Sequence, residues 1–193
     1  MRSPKDKTST LVDRTLDGGL AVKYCPNTGG QWISESEYQA WLETQPQTQP
    51  QATSNSVSLT QQLTDLSFEP AEEDLKAALC PECGHYLTRA KVMANKPFFV
   101  ERCGKCGGIW CDRGEWEALQ ILGLHTRLDA LFSGEWQALV RERQQSDRQR
   151  EATVDKLGSD LATRVFELAR ALKEHPNGDF GVAYLMQQFN KAE

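Results

Sequence analysis

Two C-x-x-C pairs, Cys80-Pro81-Glu82-Cys83 and Cys103-Gly104-Lys105-Cys106, constrain this 193-residue chain more than any other feature. Nineteen residues separate the inner cysteines. Each pair makes a tight turn, and a hairpin between them brings the turns together around one tetrahedral metal ion. No apolar signal-peptide core follows Met1, and no apolar run is long enough to span a bilayer. The chain is therefore expected in the cytoplasm, where thiols stay reduced and paired cysteines serve as ligands rather than disulfides. The expected cofactor is one zinc ion per chain, held by Cys80, Cys83, Cys103 and Cys106. Four thiolates also suit rubredoxin-like iron, so an electron carrier is an alternative. A closed four-thiolate site leaves no coordination position for a substrate.

Net charge is −5, and its placement matters more than its size. Six acidic residues against one lysine lie between Glu43 and Leu79. The stretch from Cys80 to Glu117 is nearly balanced, and no segment has the basic excess of a protein that grips phosphates non-specifically. There is no phosphate-binding glycine loop, no nucleophile with a histidine partner and no carboxylate pair in an evident pocket. The chain is not expected to be an enzyme.

Leu11-Val12 and Leu20 to Tyr24 read as strands around the turn Asp17-Gly18-Gly19. Ser34 to Leu42 reads as a short helix with Ser34 as N-cap and Glu37 completing a capping box. Residues 44–68 are polar and proline-spaced, as in a flexible linker. The acidic stretch from Glu69 to Leu79 reads as helical. Phe98 to Arg102 is the clearest strand, and Asp112-Arg113-Gly114-Glu115 reads as a second capping box. Leu128 to Leu139 reads as one more helix. Arg141 to Glu151 is polar all round, either exposed helix or connector. Val154, Leu157, Leu161, Val165, Leu168 and Leu172 recur at helical spacing, and His175-Pro176-Asn177-Gly178 stops that helix. A last helix from Phe180 carries Val182, Leu185, Met186 and Phe189.

An internal repeat changes the meaning of the N-terminus. Cys25-Pro-Asn-Thr28-Gly29-Gly30-Gln31-Trp32 lies over Cys103-Gly-Lys-Cys106-Gly107-Gly108-Ile109-Trp110, and Glu37 lies over Glu115. Upstream, Ser3-Pro4-Lys5-Asp6 lies over Cys80-Pro81-Glu82-Cys83, with the register one residue out of step in the loop that follows. Ser3, Asp6 and Thr28 stand where cysteines would be, and one thiolate with one carboxylate is a poor zinc site. The first copy is expected to keep its shape without metal.

Cys80-Pro81-x-Cys83 through Cys103-x-x-Cys106-Gly107-Gly108-Ile109-Trp110-x-Asp112-Arg113-Gly114-Glu115 resembles the transcription-factor-IIB-type zinc finger family of small bacterial proteins. The tandem arrangement also resembles cyanobacterial proteins. The resemblance implies a zinc ribbon with the four cysteines as ligands. It does not reach the linker or the C-terminal helices.

The expected fold is therefore small α+β: two zinc-ribbon-like hairpin units, one of them metal-free, and a C-terminal helical hairpin or bundle. The expected divisions are 1–43 for the degenerate ribbon, 44–68 for the linker, 69–125 for the four-cysteine ribbon with its helix, and 126–193 for the helical region. Cys25 and Cys111 read as small buried hydrophobes, His85 as a turn residue, and His125 and His175 as groups near helix ends. Trp116 and Trp136 start two similar helices and pack inward; a shared aromatic surface is the lesser reading. The expected role is an adaptor acting on a protein partner. The alternative is a transcription- or nucleic-acid-associated ribbon.

Overall fold

The computed structural model describes residues 1–45 and 68–190. The expected linker therefore lies almost wholly outside the described residues. The chain divides into two compact units, Met1–Arg141 and Glu142–Glu193, each described by itself.

In the first unit, strands β1 (Val12–Thr15), β2 (Ala21–Tyr24) and β3 (Gln31–Ile33) precede helix α1 (Glu35–Thr44). Gly18 and Gly19, with φ of 85° and 86°, make the β1–β2 turn in a region where side chains are strained. The second copy repeats the order with β4 (Leu87–Val92), β5 (Phe98–Cys103), β6 (Ile109–Cys111) and α2 (Glu115–Ile121). Antiparallel pairing of β3 with β6 fuses the two hairpins into a six-stranded sheet, in the order β1-β2-β3-β6-β5-β4. Gln31 faces Cys111, Trp32 faces Trp110 and Ile33 faces Ile109. A local two-fold axis thus passes between the two tryptophans.

That axis explains the repeated glycines. A Cβ on Gly30 would lie 2.2 Å from Trp110 Cζ2, and one on Gly108 would lie 2.1 Å from Trp32 Cζ2. Each copy's glycine is the floor for the other copy's indole. One apolar core lies beneath the sheet and draws on both copies, with Leu20, Ile33, Tyr38 and Trp41 from the first and Phe98, Val100, Trp116 and Leu119 from the second. Trp41 meets Trp116 edge-on, with ring centroids 5.6 Å apart.

The local signals resolve unequally. Ser34 Oγ accepts from the Glu37 amide at 3.3 Å, so Ser34 caps α1 as read. At the second cap, Gly114, with φ of 83°, is the N-cap. The Asp112 amide donates to Glu115 Oε2 at 2.8 Å, but the Asp112 carboxylate turns to Trp110 Nε1 at 2.7 Å. The acidic stretch from Glu69 to Leu79 folds only as a single 3-10 turn, Glu72–Leu75, because it is spread over the second ribbon rather than packed as a helix. The helix read at Leu128 to Leu139 is two, α3 (Leu128–Leu131) and α4 (Gly134–Leu157). Ser133 lies between them, its hydroxyl accepting from the Trp136 amide at 3.1 Å.

The second unit contains the end of α4, then α5 (Ser159–Glu174) and α6 (Gly178–Asn190). The polar stretch from Arg141 to Glu151 is continuous helix. Gly158, with φ of 77°, separates α4 from α5. The Arg150 guanidinium lies 4.0 Å from the centre of the Phe166 ring. α5 and α6 pack as a hairpin in which Gly178 backs directly onto the Leu172 carbonyl, so only glycine fits there. No helix among the described residues is long and apolar enough to cross a membrane.

Candidate metal centre

Two knuckles present the four cysteines. In the first, the Cys80 amide donates to the His85 carbonyl at 2.7 Å and the Gly84 amide to the Cys80 carbonyl at 2.9 Å. In the second, the Cys103 amide donates to the Gly108 carbonyl at 2.8 Å and the Gly107 amide to the Cys103 carbonyl at 3.0 Å. Gly84 and Gly107 close these turns at φ of 72° and 73°. β4 and β5 pair from Leu87 opposite Cys103 to Val92 opposite Phe98, which brings one knuckle over the other.

The sulfurs converge. Cys80 Sγ is 3.4 Å from Cys106 Sγ, Cys83 Sγ is 3.4 Å from Cys103 Sγ, and Cys83 Sγ is 3.9 Å from Cys106 Sγ. A tetrahedron of ~2.3 Å zinc–sulfur bonds has sulfur–sulfur edges of about 3.8 Å, so this set fits one zinc ion. The donors' acidities point the same way. Burial opposes ionisation of Cys103, but backbone amides including Lys105 N–H outweigh it and bring this thiol down to about 6. Burial pushes Cys80 and Cys106 up, and at Cys106 the neighbouring thiols add to it. A divalent cation supplies the charge that lets all four ionise together.

The first copy keeps the knuckle and has lost the donors. The Cys25 amide donates to the Gly30 carbonyl at 2.8 Å and the Gly29 amide to the Cys25 carbonyl at 2.9 Å, as at Cys103. The Asp6 carboxylate is already engaged by the Thr8 amide at 2.9 Å, the Thr8 hydroxyl at 2.6 Å and Asn27 Nδ2 at 2.9 Å. Those bonds hold Asp6 well below the usual carboxylate range. Burial would raise the Cys25 thiol, but hydrogen bonds from Ser3 and Thr28 win and lower it. One thiol among hydroxyls does not make a four-donor metal site.

A buried ion cluster, unmarked in the sequence, joins the two copies. Carboxylates of Asp74, Glu101 and Asp112 lie within 4.8 Å of one another, and Lys5 reaches in among them. The Lys5 ammonium is 2.5 Å from Glu101 Oε1 and 3.4 Å from Asp112 Oδ2. It also donates to the carbonyls of Glu73 at 3.1 Å and Lys76 at 2.6 Å. Arg89 adds a second cation, 3.4 Å from Glu101. Burial pushes Glu101 up to about 8, against the pull of Lys5, and raises Asp74 and Asp112 as well. The ammonium stands where a bound cation would. The one available signal was the repeat, which aligns Lys5 with Glu82.

The remaining singled-out residues take structural positions. His85 Nδ1 sits 3.1 Å from the Cys83 carbonyl, inside the turn. Cys111 is fully buried, and burial pushes its thiol well up. His125 packs against Trp41 and Trp116. His175 Nδ1 accepts from the Asn177 amide at 3.1 Å in the α5–α6 turn. Trp116 is buried in the core, which removes it from any shared aromatic surface with Trp136. The Trp136 indole is tied to the Lys91 carbonyl at 2.9 Å.

With that geometry in place, residues 79–120 match the transcription factor zinc-finger family, a zinc ribbon of the TFIIB type. This segment is a zinc ribbon. The match takes in the four cysteines, β4 to β6 and most of α2, and leaves the rest of the chain unassigned. No curated protein and no solved structure matches the chain significantly.

Proposed function

We propose that this chain is a non-catalytic, zinc-stabilised adaptor that acts by binding another protein. The observation that carries this reading is the apolar surface of the second unit. Leu157 at the end of α4 and Leu161, Val165 and Leu168 on α5 are 40–47% exposed, and Phe180, Met186 and Phe189 on α6 are 61–85% exposed. Side chains of this size left open to water are characteristic of surfaces that a partner covers. The zinc ribbon's four-thiolate site has a holding role in this reading, since it offers no open ligand position.

The test is affinity capture of the tagged full-length chain from the cells that make it, with mass spectrometry. Leu161→Glu with Phe189→Glu is expected to lose a defined partner, while a zinc measurement shows the ribbon intact. Retention of the same partner by that double variant contradicts the reading.

The family match gives a second reading, in which the ribbon is associated with nucleic acid. It requires binding to DNA or RNA that weakens steeply with salt. The net charge of −5 favours the first reading. Absence of any nucleic-acid shift at low salt would eliminate the second.

A further inference from the structure

The two-fold axis between the ribbons makes one of two equivalent faces incomplete. On the second ribbon, the face around Arg89, Glu101, Trp110 and Asp112 is roofed by residues 73–76. Asp74 Oδ1 accepts from the Phe99 amide at 3.0 Å and Arg89 donates to the Asp74 carbonyl. Lys5 fastens this roof through the Glu73 and Lys76 carbonyls.

The ladders fix the matching face of the first ribbon residue by residue. The Leu11 amide donates to the Met1 carbonyl as the Leu87 amide donates to that of Ala78, at 2.9 and 3.0 Å. Lys23 faces Trp32 as Glu101 faces Trp110, and Asp13 faces Lys23 as Arg89 faces Glu101. Glu82 takes the place of Lys5, and its Oε1 accepts from Trp32 Nε1 at 2.9 Å. These residues line an open groove of about 430 Å³, floored by Trp32 and edged by Asp13, Arg14, Lys23, Glu37 and Glu82, with the Arg14 guanidinium stacked on the Tyr24 ring. No described residue roofs it as residues 73–76 roof its mate.

The signs across the axis are reversed. Lysine becomes Glu82, arginine becomes Asp13 and glutamate becomes Lys23. Lys23 closes on Asp13 at 2.5 Å. Glu82 and Glu37 remain, with no cation on either among the described residues. Residues 46–67 contain no lysine or arginine, so that stretch of the chain cannot supply one. Every residue of β1 is exposed, whereas the opposite edge strand β4 is engaged by Trp136 at the Lys91 carbonyl.

We propose that this groove binds a segment of a partner protein, laid over the face of β1–β2 as residues 73–76 lie over that of β4–β5, with a lysine or arginine side chain on Glu82 and Glu37. The carboxylates select a basic side chain through charge-assisted hydrogen bonds. The assignment deepens the protein-binding reading above and rests on it.

The probe is a nine-residue peptide with the sequence of residues 68–76 in which Glu73 and Asp74 are both replaced by lysine, set against the unaltered acidic peptide. Each is titrated into the ¹⁵N-labelled, zinc-loaded full-length chain while the Trp32 indole N–H resonance is followed. The basic peptide is expected to move that resonance and the acidic one to leave it in place. Glu82→Gln is expected to weaken the basic peptide about tenfold, the scale of one charge-assisted hydrogen bond, with zinc content unchanged. Glu37→Gln, outside the knuckle, serves as the second variant. The proposal is overturned if neither peptide moves Trp32, if both move it equally, or if both variants bind the basic peptide as the parent does. A silent Trp32 alongside intact partner capture that Leu161→Glu with Phe189→Glu abolishes overturns the groove alone. Failure of capture itself removes the adaptor reading.

Discussion

Replacing Lys5 with methionine tests whether the buried ion cluster holds the two ribbons together. The Lys5 side chain has no solvent exposure, and neither does that of Glu101, 2.5 Å away. Methionine preserves much of the apolar stem and removes the charge. Among the described residues, Glu101 then keeps Arg89 as its nearby cation, Asp112 keeps none, and the Glu73 and Lys76 carbonyls lose their donor. Leaving a buried charge without its partner costs about 3–5 kcal/mol. In a unit of this size each kcal/mol shifts the melting temperature by about 2–4 °C, so a fall of about 10 °C is expected. The assay is calorimetry of the zinc-loaded chain, with Lys23→Met as the control. Lys23 also makes a 2.5 Å ion pair, but at 44% side-chain exposure against an Asp13 at 84%. Solvent screening reduces such a pair to under about 1 kcal/mol. Combining Lys5→Met with Glu101→Gln is expected to recover part of the loss, since the two changes are coupled. A Lys5→Met melting temperature within about 3 °C of the parent, or equal to that of Lys23→Met, refutes the argument.

Other outcomes follow from the same geometry. Gly30→Ala and Gly108→Ala each force a Cβ into an indole across the axis, and denaturant unfolding is expected to show similar losses of about 1–3 kcal/mol from the two. Cys103→Ser is expected to abolish stoichiometric zinc binding, whereas Cys25→Ser and Cys111→Ser keep it, as read by elemental analysis. Burial between Trp41 and Trp116 lowers the His125 pKa below 6.5, so the fold favours the neutral ring. That contribution is complete above pH 6.5 and is lost as pH falls through the lower folded value. His125→Phe is expected to flatten this part of the stability profile, compared with the parent by urea titration at pH 5.5 and pH 7.5.

The elements that the sequence disclosed are those written in local chemistry. The cysteine turns, the Ser34 cap, the glycine pair in the β1–β2 turn and the stop at His175-Pro176 each depend on neighbours a few residues away. The repeat disclosed more, because identical spacing of Gly-Gly-x-Trp in both copies carries a three-dimensional constraint. What it did not disclose is that the tryptophans face one another across β3 and β6. That pairing depends on Gly30 and Gly108 each making room for the other copy's ring. Lys5 reads as an ordinary surface lysine in Pro-Lys-Asp, and Asp74 as one acid in an acidic run. Their burial depends on contacts 96 and 25 residues away in sequence, with Glu101 and with the Phe99 amide. The stretch from Glu69 to Leu79, which includes the roof, read as a helix because its composition suits one. The backbone instead follows the Lys5 ammonium and the Phe99 amide.

Two ribbons share one sheet, and the four-thiolate site of the second is the one expected to hold metal. Zinc content per chain, measured by mass spectrometry on protein kept free of chelator and paired with X-ray absorption at the zinc edge, addresses it directly. The expected result is one zinc per chain, in a shell of four sulfurs at ~2.3 Å. Two zinc ions per chain, or oxygen in the zinc shell, would contradict it.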